Sequence, residues 1–233
     1  MNELISKGHD LFKDCGFTYY ICGGFALELF VGKEMRAHSD LDISIFHEDR
    51  HNAVDFLQKN GWRVYKRVFE PGSWGGITPI ADANDPKLDD IRNIWAMKEG
   101  SHLNPKLREG EDDLYDFEIL SKQQVDFNFI EMVLDHKENG GFVCNKSKTV
   151  ARELDKAILH TDCGVPYLTP EIILFLKSSK TYITHEWHKE KTPGDFKAVM
   201  PLLSDESKKW LINALNTEYP DGYEWLEDIL IGI

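Results

Sequence analysis

The chain has 233 residues, 42% of them apolar and 29% charged, enough for one large domain or two small ones around a packed core. Its net charge of −13, from 27 Lys and Arg against 40 Asp and Glu, argues against a nucleic-acid partner, which needs a positive track for phosphates, and suits a small cationic partner better. There is no apolar run long enough to span a membrane, no basic-then-apolar leader in MNELISKGHDLFKDCG, and no CxxC pair among Cys15, Cys22, Cys144 and Cys163. A cytoplasmic protein with reduced thiols, off the membrane, is therefore expected, as a monomer or a homodimer.

In chain order, the apolar spacing of Leu4, Ile5, Leu11 and Phe12 predicts a helix over 2–15, and FTYYIC (17–22) a short buried strand. Gly23-Gly24 mark a turn, FALELFVG (25–32) a helix closed by Gly32, and DLDISIF (40–46) a strand. A helix over 49–61 and a strand over 62–69 follow. Residues 71–90, rich in Gly, Pro and Asp, are expected to include an exposed loop, 90–97 reads as a strand, and 100–113 as an insertion or mobile loop. LYDFEIL (114–120) and 125–134 read as strands, and ENGGFVC (138–144) as a hairpin turn entering another strand. Beyond that the pattern turns helical: 147–160, then a helix opened by Thr169-Pro170-Glu171, then amphipathic segments to the end. The expectation is an α/β (α+β) domain over 1–146 with a mixed sheet, followed by a helical bundle over 147–233.

The chemistry concentrates in residues 22–46. Alternation along a strand puts Asp40 and Asp42 on one face, with Leu41, Ile43 and Ile45 anchoring the other. Two residues rise about 6.6 Å, so the carboxylates can converge on divalent cations about 3.5–4 Å apart, which removes their mutual repulsion. Carboxylate oxygens suit Mg²⁺ held together with substrate phosphates. The Gly23-Gly24 turn lets backbone approach a phosphate, and the helix that follows points its amides at the anion. Ser39 can add a hydroxyl to that phosphate, and Arg36 or Lys33 a charge.

GGFALELFVGKEMRAHSDLDISIF (23–46) resembles the nucleotidyltransferase superfamily typified by DNA polymerase beta, whose signature is a glycine pair, a helix and hDhDh on a strand. It is most similar to the aminoglycoside and lincosamide nucleotidyltransferase-like group. GVPYLTPEIILFLKSSK (164–180) and the Asp195-Phe196 and Trp-Leu pieces near the end resemble that group's later segments. The chain departs from the group's pattern at Phe25, where Trp is usual, in HEWHKEKTPGDF (185–196), and at Gly222 or Tyr223, where His is expected; the last two bear on the acceptor's identity.

The resemblance implies a nucleotidyltransferase fold and Mg²⁺-dependent transfer of a nucleoside monophosphate, with ATP as the expected donor, to a hydroxyl of an aminoglycoside- or lincosamide-like molecule. One or two Mg²⁺ ions would be held by Asp40, Asp42 and a third carboxylate. That third acid is expected at Asp126, on a strand whose Val125, Phe127 and Phe129 face the core, with Asp116 or Glu118 as alternatives. Gly23, Gly24, Ser39, Arg36 and Lys177 would contact nucleotide phosphates, Lys177 being otherwise a solvent-facing lysine. Glu171 reads as a first-turn acid complementing its helix dipole. A nucleotidyltransferase-fold protein that only binds nucleotide, or that modifies a protein partner, is the alternative.

Overall fold

The computed structural model describes residues 2–70, 75–121, 124, 126–180, 183 and 190–226. The chain divides into two compact units, Met1–Ile21 with Ala37–His136, and Cys22–Arg36 with Lys137–Ile233. The second unit therefore takes the glycine-opened helix α2 (Gly23–Val31) out of the middle of the first.

In the first unit, α1 (Glu3–Phe12) is capped by the Asn2 side chain, which accepts the Leu4 N–H at 2.9 Å. The strands are β1 (Tyr19–Ile21), β2 (Leu41–Phe46), β3 (Arg63–Val68), β4 (Gly76–Pro79), β5 (Asn93–Met97), β6 (Leu103–Leu107), β7 (Tyr115–Ile119) and β8 (Phe129–Glu138), with helix α3 (Arg50–Lys59) between β2 and β3. Their spatial order is β1-β2-β8-β5-β3-β4-β7-β6. These pairings are antiparallel except β2 with β8, which run parallel. One sheet face is apolar throughout its centre: Ile43 and Ile45, Met132 and Leu134, Ile94 and Ala96, and Val64 are all buried. Helices α1 and α3 pack against this unit's strands. Gly8 lets α1 lie close, because a Cβ there would run into the buried Leu41 side chain.

The second unit holds two antiparallel hairpins, β9 (Gly141–Val143) with β10 (Ala151–Glu153) and β11 (Ile158–His160) with β12 (Pro166–Leu168). A single helical turn, α4 (Leu154–Ala157), joins β10 to β11. Around them lie α5 (Pro170–Lys177), α6 (Lys191–Val199) and α7 (Asp205–Glu218). Helix α2 is apolar apart from Glu28 and packs on α5, α6 and β12.

The mixed sheet and helical C-terminal region agree with the expected fold class. Two local expectations are corrected. Residues 147–160 form two short strands around one helical turn, because Ala151–Glu153 finds a partner strand in 141–143 and a ladder replaces the helix that periodicity suggests. The presumed loop 100–113 contains β6, paired along its whole length with β7, while 71–90 holds β4 and, after it, the mostly exposed turns expected there. Proline and glycine made 100–113 look irregular, yet an edge strand such as β6 tolerates them.

Charges are buried in this unit only in company. Arg152 and Glu171 pair at 2.7 Å, both almost wholly buried, so Glu171, in the first turn of α5 as expected, is also an internal ion-pair partner. Asp195 is 2% exposed and is held by Lys177 at 2.8 Å and by Arg36 at 3.6 Å. The Lys146 ammonium donates to the Phe175 carbonyl, Ser178 Oγ and Tyr219 OH, and burial pushes its pKa down to about 8.

Removing one partner of such a group leaves the others desolvated and unpaired. Asp195→Asn is expected to cost roughly 3 kcal/mol and to lower Tm by about 6–12 °C; a melting curve matching the parent would contradict the role given to Asp195. Lys146 titrates lower in the folded state than in the unfolded one, so the folded state has lost a proton that the unfolded state keeps. Stability should therefore grow by roughly 2–3 kcal/mol as pH rises from about 8 to 10.5, and Lys146→Met should flatten that slope in denaturant titrations.

Candidate active site

The parallel pairing of β2 with β8 sets Asp42 directly opposite Glu131. Asp40 lies just before β2 and, two residues from Asp42, on the same side. Among the described residues, Asp40, Asp42 and Glu131 form a group whose ligand oxygens all lie within 4.8 Å of one another. All three are half-buried. The apolar residues on the reverse of both strands hold this geometry, since slipping either strand by one residue would send its acid into the core.

The surroundings of these acids differ in kind. Ser39 Oγ donates to Asp40 Oδ1 at 2.9 Å, and the Ser39 carbonyl accepts the Gln124 N–H at 3.1 Å. Gln124 Oε1 in turn accepts the backbone N–H groups of Asn128 and Phe129, so one side chain ties the approach to β2 to the start of β8. Asn93 Nδ2 donates to Glu131 Oε1 at 2.8 Å. Burial and then the neighbouring Asp40 charge raise the Glu131 pKa above its usual 4.5, although Asn93, Trp95 and the Arg67 charge pull the other way. His102, packed edge-on to Phe129 with ring centroids 5.1 Å apart, has its pKa pushed down by burial, which the Asp40 charge opposes.

Four residues beyond Glu131 on the same strand face, Asp135 solves the same problem differently. It is wholly buried and accepts hydrogen bonds from Ser44 Oγ at 2.6 Å and Tyr20 OH at 3.2 Å. The group at Asp40, Asp42 and Glu131 instead crowds three carboxylates with protonation favoured at one of them. Hard oxygen donors in a self-repelling set fit a divalent cation such as Mg²⁺, which relieves the repulsion without a structural change.

The other expected site residues fall as follows. Gly23 has a φ of 63°, a backbone conformation suited to glycine, and with Gly24 opens α2 after Cys22, whose side chain does not cap the helix. Glu28 of α2 accepts the Met35 and Arg36 N–H groups at 2.8 and 3.2 Å and so fixes the segment that leads out of that helix. Arg36 and Lys177 both sit on Asp195, within the second unit. Asp126 is exposed and precedes β8, which begins only at Phe129, and it lies outside the three-acid group. Asp116 and Glu118 are on β7, exposed and paired with Arg108 and Lys106; alternation turns them away from the face that carries Tyr115 and Phe117. Lys33 is exposed. Residues 185–189, which begin the divergent segment HEWHKEKTPGDF, lie outside the described residues.

Glu131 is the residue that sequence reasoning missed. Its signal was present: in FIEMVL it is a lone acid in an otherwise apolar run, at a position where only a partnered or metal-facing carboxylate is tolerated.

Comparison with known proteins bears on the fold. The profile of the aminoglycoside-2''-adenylyltransferase family matches residues 5–73, from α1 to just past β3. A lincosamide resistance protein of Staphylococcus haemolyticus is 29% identical over 55 residues, which is 24% of this chain and 34% of that protein, so the matched stretch spans about a third of the relative's length. Among solved structures, the lincosamide antibiotic adenylyltransferase LnuA with lincomycin bound is similar with a TM-score of 0.50 at 14% identity, over 87% of this chain and 98% of that one. ANT(2'')-Ia in complex with adenylyl-2''-tobramycin is similar with a TM-score of 0.54 at 11% identity, over 94% of this chain and 99% of that one. The chain thus resembles the aminoglycoside and lincosamide nucleotidyltransferases as distant homologues, and its fold is nucleotidyltransferase-like.

Proposed function

We propose that the protein is a Mg²⁺-dependent nucleotidyltransferase that moves a nucleoside monophosphate, from ATP in the first instance, to a hydroxyl of a small molecule and releases pyrophosphate. The observation that carries this reading is the convergence of Asp40, Asp42 and Glu131 across the β2–β8 pair in a nucleotidyltransferase-like fold. In this reading Glu131, on the strand beside Asp42, supplies the third carboxylate, and the exposed Asp126 is left without a metal role. A bound Mg²⁺ would supply charge neutralisation of the triphosphate and of the pyrophosphate as it leaves.

The chain's own residues do the rest. Ser39 orients the Asp40 carboxylate through its hydroxyl. Asn93 holds the Glu131 carboxyl in place. Gly23 and Gly24, at the amino end of α2, are assigned to the phosphates by the resemblance and by the anion preference of a helix start. The acceptor oxygen forms a bond to the α-phosphorus as the bond to pyrophosphate breaks, and the hydroxyl proton passes to a carboxylate. Aminoglycoside- and lincosamide-like compounds are the first acceptors to screen, because the named relatives act in that chemistry. A cytoplasmic location and action without nucleic acid or membrane belong to the same proposal; among the described residues no helix is long and apolar enough to cross a membrane.

Two measurements test the reading. Asp42→Asn and Glu131→Gln should each lower pyrophosphate release by roughly a hundredfold or more while leaving the circular dichroism spectrum unchanged; turnover near the parent's would remove those residues from the site. Mg²⁺ at a hundredfold excess over its Kd should stabilise the chain by about 2.7 kcal/mol near neutral pH, or about 5–10 °C in Tm. Because the Glu131 pKa is raised on folding, the metal-free folded state binds the extra proton, so its stability falls as pH rises through the window above 4.5. Mg²⁺ binding needs the anion, so the Tm gain should shrink as pH falls back through the same window. A gain that is independent of pH would count against Glu131 as a ligand.

A further inference from the structure

The sheet face that carries Asp42 and Glu131 continues well past the acids. Glu131 pairs with Trp95 and Trp95 with Tyr65, so Tyr65 and, two residues on, Arg67 share that face. Ile77 pairs with both Arg67 and Tyr115, which brings Tyr115 and Phe117 to the same side. β3 and β4 separate β5 from β7, so on a flat sheet their side chains would stand about 14 Å apart. The Trp95 and Phe117 rings are only 4.9 Å apart. The face is therefore curled into a trough, with the three acids at one end.

Arg67 lies in that trough. Its guanidinium carbon is 4.6 Å from the Trp95 ring centroid, 5.1 Å from that of Phe117 and 5.6 Å from that of Phe69. It makes one hydrogen bond among the described residues, Nη1 to the Gly76 carbonyl at 3.3 Å, and no ion pair. Neighbouring cations are all engaged: Lys66 with Asp90, Lys87 with Asp113, Lys106 with Glu118, and Arg108 with Glu70 and Asp116. A half-buried guanidinium with spare donors is costly in a chain that has 40 acids available to pair with it. A guanidinium packed among rings keeps the N–H groups it does not spend on Gly76 for a carboxylate or phosphate, which it can receive in two parallel hydrogen bonds. Phe69 is 64% exposed, and Leu107 and Ile119 on the same face are also exposed, so the rim of the trough beyond Arg67 is open to a small molecule.

We propose that Arg67, with Trp95, Phe117 and Phe69, forms the acceptor-recognition subsite, which takes a ring-bearing acceptor that carries an oxyanion and disfavours a polycation. The inference rests on the nucleotidyl-transfer reading for its term "acceptor", and it narrows that reading. Stacking on Phe69 and the exposed rim holds the ring, Arg67 holds the oxyanion, and the hydroxyl is directed along the trough toward the acids. A polycation would meet the fixed Arg67 charge there.

Phenyl phosphate and benzamidine, similar in shape and opposite in charge, are suitable probes. In calorimetric titrations of the full chain with EDTA present, phenyl phosphate is expected to bind saturably and benzamidine to bind at least about tenfold more weakly. Arg67→Gln should weaken phenyl phosphate about tenfold or more, and Arg67→Lys, which keeps the charge but not the fork, should recover part of that loss. Phe69→Ala, at an exposed position that the fold does not need, should weaken it several-fold, which keeps the test open should Arg67→Gln fail to fold. Equal binding of benzamidine, or affinity in Arg67→Gln and Phe69→Ala within about twofold of the parent, would overturn the subsite. Displacement of phenyl phosphate by Mg²⁺ with a non-hydrolysable NTP analogue would make Arg67 a nucleotide contact and overturn the acceptor assignment. If wild type binds no NTP with Mg²⁺ yet still holds phenyl phosphate through Arg67, the oxyanion site stands and the nucleotidyl-transfer reading fails.

Discussion

The parallel pairing of β2 with β8 is the constraint on which the candidate site depends. Among the described residues it is the one parallel contact between strands of the first unit, and it brings together residues separated by most of that unit's sequence. Its register is held from behind by Leu41, Ile43 and Ile45 against Ile130, Met132 and Leu134, all buried. The free energy of burying those side chains is what forces three carboxylates to share one small volume in front. The acids do not assemble themselves; the apolar face does it against their repulsion.

Down the front of the same strands, the molecule treats two acidic positions in opposite ways. Asp135 is sealed in and given hydroxyl donors from Ser44 and Tyr20, which is how a structural carboxylate is made tolerable. Glu131 is placed against Asp40, keeps its proton more tightly than an ordinary carboxyl, and gains only one close amide donor from Asn93. Elsewhere charges are balanced inside the fold, as with Arg152 and Glu171 or with Lys177 and Arg36 around Asp195. Against that background, the crowded acids and the Arg67 guanidinium, which has no ion pair among the described residues, are places in the first unit where the chain leaves a charge requirement for something else to meet.

Much of this was legible in the linear chain because it depends on short-range rules. The alternation in DLDISIF placed Asp40 and Asp42 on one side of a strand, and the glycines before FALELF placed a helix start after a turn; both involve neighbours within a few residues. The strand at Leu103–Leu107 was not legible, since Pro105 and the surrounding loop composition conceal an edge strand whose pairing supplies its structure. The same holds for Ala151–Glu153, where local helical periodicity yields to a partner strand ten residues earlier.

By itself, the sequence determined the class of fold, the pair of aspartates and the face they share, because a period of two along a strand is a local property. Tertiary structure decided the third acid. Register between β2 and β8 sets Glu131 opposite Asp42, and the late start of β8 at Phe129 leaves Asp126 exposed on the approach. It also decided that Arg67 lies over Trp95 and Phe117, since only the curl of the sheet brings residues from β3, β5 and β7 to one place. Strand order and curvature come from the packing of the whole sheet, and no local pattern in the chain encodes them.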